Sequence, residues 1–185
     1  MTSRWVVEVT PLRNVPVRWR AYSLAIKNAD EDIPEPYRTY AATAQGALRV
    51  VEAVWADHGD EPIGRLYTEI GNRFTLGDDI SPGAVSEALA AAGLDLSYAA
   101  AAADERWDEE IRGSMAEAID LVGTEVGVPI LVFRDDDATA AIFGPVVSPT
   151  PRGEEALALW DHVVTLARSP SFFELKRSRT GPPEL

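Results

Sequence analysis

Apolar and polar positions follow two rhythms along this chain. From Val15 to Tyr22 the period is two: Val15, Val17, Trp19 and Ala21 fall opposite Pro16, Arg18, Arg20 and Tyr22. That alternation predicts a strand with one covered face, with Pro16 near its start, where a missing N–H does least harm. Asn28 to Pro36 is acidic and proline-bearing and reads as a connection. The period then lengthens. Ala44, Ala47, Leu48, Val51, Val54 and Trp55 recur at three- and four-residue steps up to Gly59, and Ile63, Leu66, Tyr67 and Ile70 follow, which predicts two amphipathic helices. Ser81-Pro82 joins a capping residue to a proline at a first helical position, and Gly93 closes the alanine-rich run after it. Asp95 offers another cap, and the stripe Ile111, Met115, Ala118, Ile119, Val122 ends at Gly123.

The character changes at Val126. Val128-Pro129-Ile130-Leu131-Val132-Phe133 and Ala140-Ala141-Ile142-Phe143 are short apolar runs separated by the acidic stretch Arg134 to Asp137, a β-hairpin signal. Thr150-Pro151 predicts the start of a last helix, with Glu154 and Glu155 in its first turn and Leu157, Trp160, Val164 and Ala167 on one face. The segment after Pro170 carries Phe172 and Phe173, then turns polar and proline-rich, so it is expected to pack briefly and fray. Residues 2 to 12 stay ambiguous on the pattern alone. Trp5-Val6-Val7-Glu8-Val9 leans to strand, whereas Thr2 and Ser3 suit a helix cap.

Composition narrows the function. The 185 residues carry a formal net charge of -13, 46% hydrophobic and 25% charged residues. That is enough apolar material for one domain with an insertion. The negative charge would repel a phosphate backbone, so a nucleic-acid partner is not expected. The basic cluster Lys176, Arg177 and Arg179 reads as a solvated tail. No apolar run approaches the length needed to span a bilayer and nothing resembles a signal peptide, which predicts a cytoplasmic protein without a membrane partner. There is no cysteine and there are two histidines, so neither a thiolate metal site nor an ordinary zinc site is expected. Pattern alone gives His58 and His162 no partner. Ser148, His162 and Asp161 form no recognisable catalytic triad, and the aspartate runs at Asp78-Asp79 and Asp135 to Asp137 read as solvated turns rather than a calcium loop.

Certain strings are more specific. Thr2-Ser3-Arg4-Trp5, Ser23-Leu24-Ala25-Ile26 with Asn28, Leu66-Tyr67-Thr68 with Gly71-Asn72-Arg73, Phe143-Gly144-Pro145-Val146, Pro151-Arg152-Gly153-Glu154-Glu155-Ala156 and Phe172-Phe173-Glu174-Leu175-Lys176-Arg177 run in collinear order over nearly the whole chain. Together they resemble the mycothiol-dependent nitroreductase branch of the DsbA-like thioredoxin-fold oxidoreductases. The resemblance implies an α/β, thioredoxin-like fold. Residues 1–36 would be its N-terminal part, 37–125 an all-helical insertion and 126–185 its C-terminal hairpin, helix and tail. It also implies that residues 2 to 10 are the remainder of a first helix rather than a strand. In that family a strand and a Cys-Pro-Trp-Cys motif precede the position of Met1. The expectation is therefore a chain that starts downstream of its redox cysteines and is catalytically silent by itself.

The resemblance also nominates site residues. Pro129 matches the family's cis-proline, whose loop faces the redox cysteines, and Val128 before it would tune access to them. Asn28, Tyr37 and Thr75 match positions lining the family's pocket; the family tends to place a histidine where this chain has Thr75, and the spacing from Asn28 to Tyr37 is one residue shorter. The implied partner is a small-molecule or disulfide substrate, with a low-molecular-weight thiol, mycothiol, as reductant and no bound cofactor. Two functions follow as expectations: a thiol-disulfide oxidoreductase, or a non-catalytic thioredoxin-like binding module that has kept the groove.

Overall fold

The computed structural model of this chain describes residues 1–32, 34–77, 79–135, 137–178 and 181. It divides into two compact units, one formed by Met1–Val17 with Ala118–Leu185 and the other by Arg18–Glu117.

In the first unit, α1 (Thr2–Arg13) is helical despite its β-branched residues. The helix wins because it places Trp5, Val6 and Val9 on one covered face, and Trp5 and Val9 are fully buried. The Trp5 indole N–H donates to the Ala156 carbonyl at 2.9 Å, and its ring lies 5.6 Å from that of Trp160, which also meets Phe133 edge-on at 5.4 Å. Asn14 ends α1 in the left-handed region, at φ 51° and ψ 44°, a conformation that asparagine tolerates better than most side chains. The strands β1 (Ile130–Arg134) and β2 (Thr139–Phe143) pair antiparallel, from Ile130 opposite Phe143 to Arg134 opposite Thr139. The turn is closed by the Asp135 N–H on the Ala138 carbonyl at 2.9 Å. The predicted hairpin is therefore present, with its loop where the acidic stretch placed it.

The last helix, here α7 (Gly153–Ala167), begins later than Thr150-Pro151 suggested. Its N-cap, Arg152, has no side-chain acceptor to offer, and the capping acceptor comes from α1. Glu8 accepts from the Gly153 N–H at 3.2 Å and from Arg152 at 3.0 Å. Those two bonds, the Gly153 N–H first, hold the Glu8 carboxyl below its usual range. In the tail, Phe172 is half-buried and Phe173 is 86% exposed, so the packing is briefer than its two aromatics suggested.

The second unit is helical. Its elements are α2 (Leu24–Lys27), α3 (Glu35–His58), α4 (Ile63–Gly71) running into a π-helical turn (Asn72–Leu76), α5 (Pro82–Ala91), a 3₁₀ helix (Leu96–Ala103) and the first part of α6 (Trp107–Val122). The expected apolar stripes form its core. Val50, Val51 and Val54 of α3 pack with Ile63, Leu66 and Ile70 of α4, Phe74 of the π turn, and Ala88 and Leu89 of α5. Gly46 lets α3 approach the 3₁₀ helix closely, since a Cβ there would lie 3.3 Å from the Ala102 carbonyl oxygen.

One expectation fails. Residues 15–22 form no strand. The period-2 pattern holds from Val17 to Ala21: Val17 and Trp19 are half-buried, Ala21 is buried, and Arg18 and Arg20 are exposed, whereas Val15 is exposed and Tyr22 half-buried. Alternation reports which side is covered, but a strand also requires a ladder partner. The described residues contain one two-stranded sheet, β1 with β2, and this segment is not part of it. Its main chain bonds outside any ladder instead, with the Val15 N–H on the Thr10 carbonyl at 3.0 Å and the Ala21 carbonyl accepting from the Ser114 hydroxyl at 2.6 Å, while Trp19 stacks on Tyr67 at 6.2 Å. Among the described residues, no helix is long and apolar enough to cross a membrane.

Candidate functional site

In the first unit, the Val128–Pro129 peptide is cis and leads directly into β1. The Pro129 carbonyl accepts from the Gly144 N–H at 2.8 Å, so the hairpin's own ladder fixes the end of this loop. Val128 is 39% exposed and presents an apolar side chain to solvent. Neither residue ionises, so their chemistry is limited to shape and main-chain hydrogen bonding.

The remaining predicted site residues belong to the second unit. Asn28 ends α2; its N–H donates to the Leu24 carbonyl at 3.1 Å and its own carbonyl accepts from Glu31 at 3.0 Å. Tyr37 lies in the first turn of α3 and is 69% exposed. Thr75 is an exposed member of the π-helical turn, next to the buried Phe74. Tyr40, one turn beyond Tyr37, meets Phe74 edge-on at 6.4 Å. That aromatic pair joins the start of α3 to the turn that carries Thr75. No ring contact or side-chain hydrogen bond connects Asn28 to either of them among the described residues.

The π turn had no signal in the hydrophobic period. It is held by Gly77 N–H on the Asn72 carbonyl, five residues back, at 2.8 Å, and by Arg73, which pairs with Glu69 at 2.8 Å and Glu87 at 3.5 Å. Such turns recur at functional sites because they displace one side chain from the helical ladder. Here the displaced stretch includes Thr75.

Behind α2 lies a buried polar network. Ser23, fully buried, accepts from the Ile26 N–H at 3.0 Å and so caps α2, while its hydroxyl donates to Gln45 Oε1. The other end of that amide donates to Asp108 Oδ1 at 2.6 Å. Arg49 grips Asp108 with a bidentate fork, Nε to Oδ1 at 2.7 Å and Nη2 to Oδ2 at 2.8 Å, and donates to the Ala102 carbonyl at 3.1 Å. The Arg49 guanidinium holds the Asp108 carboxyl below the usual aspartate range. On the same helix, burial pushes the Glu52 carboxyl up; the nearby Glu110 adds to that shift, while Arg20 and the Ala21 N–H oppose it.

His58, which the sequence left without a partner, lies at the C-terminal end of α3 with its Nε2 3.0 Å from the Tyr98 hydroxyl; that hydroxyl donates to Asp57 at 2.7 Å. Ser148, His162 and Asp161 do not assemble into a triad. The Asp161 carboxylate pairs with Arg13, and His162 Nδ1 meets the carbonyl of Ala158 in its own helix. Among the described residues no group of three or more acidic or histidine side chains is placed to hold a metal ion. The candidate residues are Val128 and Pro129 in the first unit and Asn28, Tyr37 and Thr75 in the second. They supply no nucleophile of the thiol class, since the chain has no cysteine.

Comparison with known proteins supplies the chemistry that these side chains leave open. The family model described as mycothiol-dependent nitroreductase Rv2466c, the Rv2466c-like family, matches residues 1–177. The chain is also similar to the uncharacterized protein Rv2286c of Mycobacterium tuberculosis (strain ATCC 25618 / H37Rv), at 28% identity over 182 residues, 97% of this chain and 76% of that protein. A match over residues 1–177 takes in α1, both strands, every helix of the second unit and α7, and the chain belongs to the Rv2466c-like family of mycothiol-dependent nitroreductases.

Proposed function

We propose that this chain is the substrate-shaping body of a mycothiol-dependent reductase of the DsbA-like, thioredoxin-fold lineage. Residues 1–36 and 126–185 form the thioredoxin-like part, and 37–125 the helical insertion. In the first unit the Val128–Pro129 loop offers its main chain to a substrate, and in the second Asn28, Tyr37 and Thr75 are the substrate-binding residues. The observation that carries this reading is the family match over residues 1–177.

The reductant is mycothiol and the substrate is a small molecule or a disulfide. Disulfide exchange requires an attacking thiolate. With no cysteine among the 185 residues, that thiolate is not one of the chain's side chains, and the chain alone is catalytically silent. Thr75 stands where the family tends to have histidine; a threonine hydroxyl can hydrogen-bond a ligand but cannot exchange a proton near neutral pH as imidazole does. Thr75 therefore positions and does not titrate.

The pocket assignment is tested by titrating the isotope-labelled chain with mycothiol and following backbone amide resonances. Shifts should concentrate at Val128, Ile130, Asn28, Tyr37 and Thr75. Saturable shifts confined to other residues, or none up to millimolar mycothiol, would remove this assignment.

A further inference from the structure

We infer that Gln45, held by the Arg49–Asp108 ion pair, is a positioning residue that sets α2, and through it the pocket residue Asn28. The assignment of Asn28 to a pocket rests on the function proposed above; the mechanical link does not.

The geometry forms a single chain of bonds. Arg49 fixes both oxygens of Asp108 and is itself tied to the Ala102 carbonyl. Both side chains of this pair are largely covered, at 14% and 15% exposure. Asp108 is thereby an oriented acceptor, and it fixes which way the Gln45 amide faces: Nε2 toward Asp108 and Oε1 toward the Ser23 hydroxyl. Ser23 must then donate to Gln45, which leaves its oxygen lone pairs to accept from Ile26 N–H at the start of α2. A helix of four residues has too few internal hydrogen bonds to hold itself together, so its cap and that cap's partner decide where it sits. Asn28 is its last bonded residue, with its N–H on the Leu24 carbonyl. Gln45 is 8% exposed; a glutamine buried this deeply in a helix and bonded at both ends is hard to explain by packing alone.

The inference distinguishes an amide from any side chain of similar size. Gln45→Leu removes both bonds while filling the space. Gln45→Glu keeps one acceptor but faces the Asp108 carboxylate with a second negative charge when ionised; when protonated it regains one donor and one acceptor, the wild-type pattern. The charged groups around this point are Asp108, Arg49 and Arg112, with Asp104 and Glu105 acting on Arg49.

The test is amide hydrogen exchange on the full chain, corrected for intrinsic rates, with reporters at Ile26, Lys27 and Asn28 and controls at Ala88 and Leu89 in α5. Gln45→Leu should raise exchange at the three α2 reporters by about tenfold, the scale of one lost cap, with the α5 amides unchanged. Gln45→Glu should show the same loss at neutral pH and regain protection as the pH falls through its own carboxyl range, while the wild type shows no such recovery at α2. Unchanged α2 exchange in Gln45→Leu, or an equal rise in α5, overturns the inference, as does a Gln45→Glu variant whose α2 protection does not respond to pH. Mycothiol titration of Gln45→Leu separates the two readings. A response at α2 with unaltered mycothiol affinity upholds the positioning role and sinks the pocket assignment of Asn28.

Discussion

The helical unit and the hairpin-bearing unit manage their backbone polar groups differently. Within Arg18–Glu117, the helices satisfy most of their N–H and C=O groups internally; the stripes of α3, α4 and α5 enter a core from Ala47 to Ala92, and Ile111 and Met115 of α6 pack with Ala21. In Met1–Val17 with Ala118–Leu185, the buried anchors are Trp5, Val6 and Val9 of α1 with Ala156 and Val163 of α7, whereas no residue of β1 or β2 is fully buried. A two-stranded hairpin satisfies only the facing halves of its strands, and by itself it is marginal in water. Stability in this protein therefore resides in helices, whereas the loop nominated for substrate contact is attached to the less protected hairpin.

Truncating one anchor in each unit should have the largest effect. Trp5→Ala removes the indole that bonds Ala156 and packs on Trp160 and should cost about 3–5 kcal/mol, enough to unfold the first unit in urea well before the second. Leu66→Ala, fully buried in α4, should cost about 2–5 kcal/mol, with its effect read first in the helical unit. Circular dichroism with tryptophan fluorescence would follow both transitions. Equal losses in both units from either variant would show that they do not unfold separately.

Hydrogen exchange sharpens the contrast next. Amides of Val50 and Val54 in α3 should exchange only through large-scale unfolding, whereas those of Leu131 and Phe133 should exchange through local opening, about a hundredfold faster or more. Equal protection would mean that the hairpin is supported as firmly as the core.

The smallest effect is electrostatic. Burial raises the Glu52 carboxyl above its unfolded value. Its contribution to stability is therefore fully present below the ordinary glutamate range and is lost as the pH rises through the folded value. Glu52→Gln should then raise the melting temperature at pH 7, and the gain should vanish near pH 4. A variant less stable than wild type at pH 7 would show that Arg20 and the Ala21 N–H outweigh desolvation.

Much of this was legible in the chain. Ser81-Pro82, Gly93, Gly123 and the 3.6-residue stripes mark helix boundaries because capping and periodicity are local properties. The hairpin was equally plain, being two apolar runs around an acidic turn. The segment Val15 to Tyr22 was misread as a strand because pairing is not local: its pattern shows the covered side and says nothing about a partner. The π turn at Thr75 and the cap linking Ser23 to Gln45 escaped for a related reason. The first depends on Arg73 reaching Glu69 and Glu87, the second on α3 and α6 meeting behind α2, and neither leaves a period in the sequence. Of the site, the Val128–Pro129 loop was recognisable only through resemblance, and Asn28, Tyr37 and Thr75 likewise.

The most direct test of the account is turnover. The 185-residue chain, incubated with mycothiol and either a nitroaromatic or a disulfide substrate, should consume substrate no faster than mycothiol alone. A protein-dependent rate, saturable in mycothiol, would contradict it by showing that these residues complete the reaction without a cysteine of their own.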